Sequence, residues 1–352
     1  MSPLRIAVAG AGVIGRTHIE AMSSSLRQDG HPCRLCAIVD PGDGARALAG
    51  RHGVPHHADI EALLSSGEPP DGVIVATPNA THAPIAIACI GRGIPVLVEK
   101  PIADTVEAAR RLTGAAERAG VPLLVGHHRR HNPILRMARE VIGRGDLGAL
   151  VTATILYTFL KPDGYFDAAW RREEGGGPIL INLIHEIDTL RFLCGDIESL
   201  QAASSNRTRG FAVEDTAAVL LRLRGGALAT VSLSDAAATP WSWDMTTGES
   251  PQFARQHVPT HFFSGTHGSL TVPTLELWRY EGGRGWLDPF TRTALPLTPG
   301  NPYALQLAHF ARVIRGEEAP VAGGADATET LRATLAVKEA AATGRPVRLL
   351  DA

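Results

Sequence analysis

Gly10-Ala11-Gly12-Val13-Ile14-Gly15 directly follows the apolar run Arg5–Val8 and opens a segment of helical period. A glycine fingerprint in that context of strand, turn and helix cradles the pyrophosphate of a dinucleotide. Gly10 permits the tight turn, Gly12 lets the backbone approach the phosphates, and Gly15 lets helix and strand pack closely. Val13 and Ile14 stand in the first helical turn, whose free N–H groups and positive dipole end meet the phosphates. Asp40 ends the second apolar run, where a carboxylate can accept hydrogen bonds from both adenosine ribose hydroxyls. A 2′-phosphate would set negative charge against Asp40, and Pro41-Gly42 follows where Ser, Thr or Arg would serve NADP. The spacing therefore favours NAD, with Arg46 keeping NADP as the alternative. Thr77-Pro78-Asn79 closes another apolar run, at the carboxyl edge where open α/β sheets bind ligands. The same tripeptide also fits a plain turn and helix N-cap.

These residues need a parallel sheet to hold them. Short apolar runs at Arg5–Val8, Leu35–Val39, Gly72–Ala76, Val96–Val98 and Leu123–Val125 alternate with segments of helical period at Val13–Gln28, Gly44–His52, Asp59–Leu64, His82–Arg92 and Thr105–Ala119. That alternation predicts βαβ units and a Rossmann doubly wound sheet. After a helix over Asn132–Gly143 the pattern changes. Strands are expected at Leu150–Leu160, Ile197–Ser204, Thr216–Arg224, Ala227–Ser234, His261–Ser264, Ser269–Val272 and Glu276–Tyr280, and helices at Pro178–Cys194, Tyr303–Arg315 and Ala325–Thr343. Gly225-Gly226 is a hairpin signal, with positive φ expected at both glycines. The residues from Ala236 to Pro259 lack any period and read as a functional or oligomer-contacting loop. The expected architecture is α/β plus α+β: a Rossmann domain over 1–126, then a substrate and oligomerisation domain over 127–352. The second domain would be an open-faced, mostly antiparallel β-sheet with packed helices, the last helix returning to the Rossmann domain.

Composition narrows the partners. With 352 residues, two domains are expected. There are 34 basic and 36 acidic residues, for a formal charge of −2. Without a basic stripe this argues against nucleic acid and anionic membranes and for a small molecule. No apolar run reaches the roughly 18 residues of a membrane span. The start, Met1-Ser2-Pro3-Leu4-Arg5 running into Ile6-Ala7-Val8, does not resemble a leader, so a soluble, cytoplasmic protein is expected. Four cysteines make no disulfide framework, and Cys33-x-x-Cys36 has no second half-site. None of the 14 histidines stands in a metal-ligand spacing with matching partners, so no metal is expected.

The whole pattern resembles the glucose-fructose oxidoreductase and inositol dehydrogenase (Gfo/Idh/MocA) family. The likeness rests on the glycine fingerprint, Ala76-Thr77-Pro78-Asn79 with His82, Glu99-Lys100-Pro101, Arg129-Arg130-His131-Asn132-Pro133, and Gly176-Gly177 leading to His185-Glu186-Ile187-Asp188. It implies an NAD(P)-dependent dehydrogenase acting on a secondary hydroxyl of a sugar, cyclitol or related compound, paired as a homodimer or homotetramer through the C-terminal sheet. It also implies that Lys100 lies beside the nicotinamide and the substrate hydroxyl, with a cis Lys100-Pro101 bond. Alcohol oxidation removes a proton as hydride leaves, and a lysine can stabilise the developing alkoxide or relay that proton.

His185 is the second catalytic candidate, since imidazole exchanges protons near neutral pH. On a regular helix Ile181, Asn182, His185 and Asp188 would share a face. Relatives commonly carry Asp four residues before this histidine; here that position is Ile181, and Asn182 is the nearest polar substitute. Asn182 can orient a group but cannot act as a base. By the same likeness, His82, Glu99, His128 and Trp170 join the cofactor contacts, and His128, Arg171, Asn182 and Tyr157 contact substrate. His127 shares the position of His128 at the sheet edge, and further substrate groups are expected from Tyr157–Ala168, the loop around Trp241–Trp243 and a neighbouring subunit. Two other readings are open: an enzyme that recycles bound NAD during glycoside cleavage or epimerisation, and a dinucleotide-sensing regulator, which the missing Asp at Ile181 would suit.

Overall fold

The computed structural model describes residues 2–25, 32–250 and 252–349. In chain order the first elements are β1 (Leu4–Ala9), α1 (Val13–Ser25), β2 (Cys33–Val39), α2 (Asp43–His52), β3 (His56–His57), α3 (Ile60–Leu64), β4 (Gly72–Val75), α4 (Asn79–Ile90), β5 (Val96–Glu99), α5 (Val106–Ala119) and β6 (Leu123–Gly126). There follow α6 (Pro133–Gly143), β7 (Leu150–Thr158), α7 (Ile184–Cys194), β8 (Ile197–Ser205), β9 (Thr216–Leu223), β10 (Leu228–Ser234), α8 (Trp243–Thr246), β11 (His261–Gly265), β12 (Gly268–Val272), β13 (Glu276–Tyr280), β14 (Phe290–Ala294), α9 (Pro302–Ile314), α10 (Gly324–Thr343) and β15 (Val347–Arg348). The expected continuation of α1 over 26–28, and Pro251 of the expected long loop, lie outside the described residues.

The chain divides into two compact units, Met1–His131 with Gly300–Leu331, and Asn132–Pro299 with Arg332–Ala352. In the first, six strands pair in parallel in the order β3-β2-β1-β4-β5-β6. β4, β5 and β6 are buried along their whole length. This is why they read as unbroken apolar runs: helices cover both faces of the sheet. α9 buries Leu307, Phe310 and Ala311 in the core formed by Ile6, Val8, Ile19, Met22 and Ile38, and each such large side chain contributes roughly 1.5–3 kcal/mol by leaving water.

The second unit carries a nine-stranded sheet in the order β14-β13-β12-β11-β7-β10-β9-β8-β15. All its pairings are antiparallel except β7 with β10, which run parallel with Thr158 opposite Ser234. β9 and β10 alternate, burying Ala217, Val219, Leu221, Leu223, Ala229, Val231 and Leu233. Their outward residues Ala218, Leu220, Arg222, Leu228, Thr230 and Ser232 leave the other sheet face open, as a half-buried antiparallel sheet does. The core beneath includes Ile187, Leu190 and Val337.

Four local differences from the sequence expectation have physical causes. The connection between β9 and β10 spans Arg224–Ala227, and in this longer turn only Gly226 takes positive φ, at 89°. Pro178–Cys194 is not one regular helix, because Ile179–Leu183 forms a wide π turn before α7. The aperiodic stretch after Ala236 contains α8, and Trp243 is a fully buried core residue there, its Nε1 donating to Glu249 at 2.9 Å. β14 carries the largely exposed sequence Phe-Thr-Arg-Thr-Ala and shows no buried face for a period to reveal.

Candidate functional site

The fingerprint turn is built as its glycines require. Gly10 has φ of 97°, and a Cβ there would come within 2.3 Å of the Ala76 carbonyl oxygen. A Cβ on Gly15 would lie 1.9 Å from the Gly10 oxygen, whereas one on Gly12 would meet nothing within 4 Å. The backbone at Gly12 is thus open to an approaching phosphate, beside the exposed Val13 that starts α1. Asp40 is tied into this turn: its Oδ2 accepts the Ala11 N–H at 2.8 Å and its Oδ1 accepts the Gly42 N–H at 2.8 Å. Each carboxylate oxygen keeps further acceptor capacity for a ribose hydroxyl. This open cradle with an acid at its edge fits NAD.

Thr77 and Pro78 stand at the end of β4, and Asn79 begins α4 with Pro78 as its N-cap residue. His82 is buried, with Nδ1 2.8 Å from the Pro101 oxygen and Nε2 2.7 Å from the Thr77 oxygen. Both ring nitrogens lie against backbone carbonyls, so the side chain bolts the Thr77 turn to the segment after Lys100.

Glu99 and Lys100 emerge at the carboxyl end of β5, and the Lys100–Pro101 peptide is cis. Glu99 is buried, with Oε1 2.8 Å from His18 Nε2 and Oε2 accepting the Lys100 N–H at 3.2 Å. Burial alone would push this carboxyl up, but the hydrogen bond from His18 and the charges of His18, His128 and Lys100 outweigh it and hold it below the usual range. A Cβ on Gly126 would fall 2.7 Å from Glu99 Oε1, so β6 needs a glycine there. Tyr303 of α9 stacks on His128 at 4.5 Å and meets His18 edge-on at 5.5 Å. Lys100 itself is half-buried. Arg130, from the Arg129-Arg130-His131 run, donates to the Val321 oxygen at 2.9 Å and pairs with Asp326, a structural anchor within the first unit.

In the second unit His185 is buried in the first turn of α7. Its neighbour Glu186 lies 2.7 Å from His261 Nε2, both fully buried. Ahead of α7, Glu214 accepts the Ile179 N–H at 2.9 Å, placing a carboxylate at the positive end of the helical segment. Asn182 lies in the π turn, and its Nδ2 donates to Tyr157 Oη at 3.0 Å while its Oδ1 accepts from Lys161 Nζ at 2.8 Å. Tyr157 donates to Asp244. Lys161 also meets Asp235 Oδ2 at 3.3 Å, and Arg209 Nε meets Asp235 Oδ1 at 3.2 Å. Burial pushes the Lys161 ammonium down, against the Asp235 carboxylate that holds it up. Arg171 packs 3.9 Å over the Tyr165 ring and donates to the Tyr165 oxygen, while Trp170 is half exposed.

The sequence therefore placed Tyr157 and Asn182 among the substrate groups, and the structure joins them in one hydrogen-bonded array. Lys161, within the expected Tyr157–Ala168 stretch, and Asp244, beside the expected Trp241–Trp243 loop, complete that array without having been named individually, as do Arg209 and Asp235, which lay in no expected stretch. Nothing in their spacing marks them; the parallel register of β7 with β10 brings Lys161 beside Asp235. His18 was missed as well, although a histidine three residues after Gly15, beside the apolar Ile14, Ile19 and Met22 of α1, was a visible signal. Among the described residues no group of three or more His, Cys, Asp or Glu could hold a metal ion, and no helix is long and apolar enough to cross a membrane.

A parallel sheet in nucleotide-binding order with an open glycine turn, followed by a mostly antiparallel sheet, defines a two-unit dinucleotide-dependent oxidoreductase. Residues 4–127 match the model of the Gfo/Idh/MocA oxidoreductase family with an NAD-binding Rossmann fold, and residues 135–271 match the family's C-terminal domain. The chain belongs to this family. It is 33% identical to a 1,5-anhydro-D-fructose reductase of Ensifer adhaerens over 82% of this chain and 83% of the relative. It is 27% identical to a scyllo-inositol 2-dehydrogenase (NAD(+)) of Bacillus subtilis over 98% of this chain and 96% of the relative. The crystal structure of the WlbA dehydrogenase from Bordetella pertussis, in complex with NADH and UDP-GlcNAcA, superposes with a TM-score of 0.80 at 25% identity, covering 99% of this chain and 100% of that one.

Proposed function

We propose that this protein reversibly oxidises a secondary hydroxyl of a sugar, cyclitol or related polyhydroxylated compound, using NAD in preference to NADP. The observation that carries this reading is Lys100 at the carboxyl end of β5, joined to the buried Glu99 and His18 in the unit that binds the nucleotide. The names of the sugar and inositol relatives support the substrate class. When bound, NAD supplies the hydride acceptor. Lys100 stabilises the developing alkoxide and His185 exchanges the substrate proton. The half-buried Ile181 stands where the family pattern has a carboxylate, so the usual acid is absent at that position. His82 and Glu99 hold the Lys100 segment in place; Thr77, Asn79, His128 and Trp170 contribute to the cofactor side, and Tyr157, Asn182 and Arg171 to the substrate side.

A panel of sugars, cyclitols and hydroxy acids followed by NADH absorbance, with wild type and Lys100→Ala, tests the reading. Loss of roughly 10²-fold or more in kcat, with NADH binding retained, is expected. Equal turnover by the variant would overturn the assignment of Lys100. Product without net NADH would favour recycling of bound NAD, and tight NAD binding without turnover would favour a sensor, the reading that Ile181 suits.

The open face of the second sheet, with Leu220 and Leu228 among its outward residues, supports pairing of two copies through it as a homodimer or as part of a homotetramer. The four cysteines, none of them in a disulfide, suit a reducing, cytoplasmic setting.

A further inference from the structure

Asn182 replaces a missing acid only in part, and its surroundings state what it does instead. Its carbonyl oxygen is committed to the Lys161 ammonium at 2.8 Å, and one amide hydrogen to Tyr157 Oη at 3.0 Å. Turning the amide over would set its NH2 group against an ammonium, so only one orientation is electrostatically acceptable. Lys161 is itself fixed. Its side chain is 5% exposed, Asp235 accepts from it, and its ammonium lies 4.7 Å from the Tyr165 ring centroid. Asp235 is held in turn by Arg209, which also donates to the Lys161 and Asp235 carbonyl oxygens at 2.8 and 2.6 Å. On the far side Tyr157 is oriented by Asp244. The second amide hydrogen of Asn182 has no acceptor among the described residues, and the residue is half-buried.

We infer that Lys161 is a positioning residue that locks Asn182 with its amide hydrogen presented to the substrate, so that this unit selects a ligand carrying an acceptor-only oxygen, a carbonyl or carboxylate, at that point. A carboxylate in place of Asn182 would accept from a substrate hydroxyl, whereas this amide donates, and the polarity demanded of the ligand is reversed. A hydroxyl can rotate to satisfy either arrangement, but a site with a buried donor rewards an acceptor that needs no such adjustment. The inference rests on the reading above that the second unit binds substrate.

The test uses two matched pairs of probes, D-glucuronate with D-glucose for the carboxylate and scyllo-inosose with scyllo-inositol for the carbonyl. Dissociation constants are measured by calorimetry on the full chain, with and without NADH, and NADH binding is titrated separately by fluorescence. Wild type is expected to hold the acceptor-bearing member of at least one pair about tenfold more tightly than its partner. Asn182→Asp, nearly isosteric and still able to pair with Lys161, is expected to abolish that ratio, and Lys161→Met to lower it at least about threefold by freeing the amide to rotate. NADH affinity should change in neither variant. A ratio near one in wild type, or a ratio that survives either substitution, would overturn the inference. Failure of the nucleotide reading would appear separately, as absent NADH binding in wild type.

Discussion

Glu99 and His18 face one another at 2.8 Å, 81 residues apart in sequence, one at the end of β5 and the other on the helix of the glycine fingerprint. The pair ties the segment bearing Lys100 to the helix whose start faces the nucleotide phosphates. Glu99→Gln should cost about 3 kcal/mol at neutral pH, as removal of one member of a buried pair does. The sign of its pH dependence follows from the lowered folded value of Glu99. Its stabilisation is fully present above the ordinary carboxylate value of 4.5 and is lost as pH falls through the lower folded value. Urea unfolding of wild type and Glu99→Gln should therefore show a stability gap that is wide at pH 7 and narrows in acid.

Asp40 shapes the fingerprint turn and is proposed to meet the ribose. Asp40→Ser should raise the KM for NAD by roughly 10-fold or more, since hydrogen bonds to a charged acceptor contribute about 1.5–3 kcal/mol. The same change removes the charge that opposes a 2′-phosphate, so the NADP to NAD ratio of kcat/KM should rise. Steady-state kinetics with the two nucleotides checks both; a ratio that does not move would remove Asp40 from the cofactor site.

Leu220 projects from the open face of the second sheet and is 45% exposed. If two copies pair there, Leu220→Arg sets two charges into an apolar contact, and light scattering coupled to gel filtration should report a smaller species with unchanged NADH affinity. An unchanged mass would rule this face out as the contact.

Burial pushes the Cys33, Cys89 and Cys194 thiols up to about 12, and Cys36 to about 11. The thiolate is the reactive form, so alkylation by iodoacetamide at pH 8 should be slow in the native protein and rapid in urea. Mass spectrometry over a time course reads this directly, and fast native labelling at Cys33 would contradict its burial.

The Rossmann sheet was legible because its signals are local. β1, the glycine turn and α1 are contiguous, and strands covered on both faces leave unbroken apolar runs. β14 was not legible, since an exposed strand of Thr and Arg residues shows no alternation. The π turn at Ile179–Leu183 was hidden because the apolar residues run almost unbroken from Ile179 to Ile184, with only Asn182 between them, and give no phase that could reveal the extra residue. Tyr157 and Asn182 could be picked from their neighbours in sequence. Lys161 fell inside the Tyr157–Ala168 stretch without being named, and Asp235 and Arg209 carried no signal, because the fold brings them together from distant segments and that leaves no trace in spacing.

The parallel pairing of β7 with β10 sets Thr152 opposite Leu228 and Thr158 opposite Ser234. Two strands running the same way cannot be joined by a tight turn, so the chain containing α7, β8 and β9 forms the long crossover between them. Closing so long a loop is entropically slow. Contact between the Lys161 ammonium and the Asp235 carboxylate is therefore expected late in folding, and a chain stalled before that point would hold the parallel sheet of the first unit without the hydrogen-bonded array around Asn182.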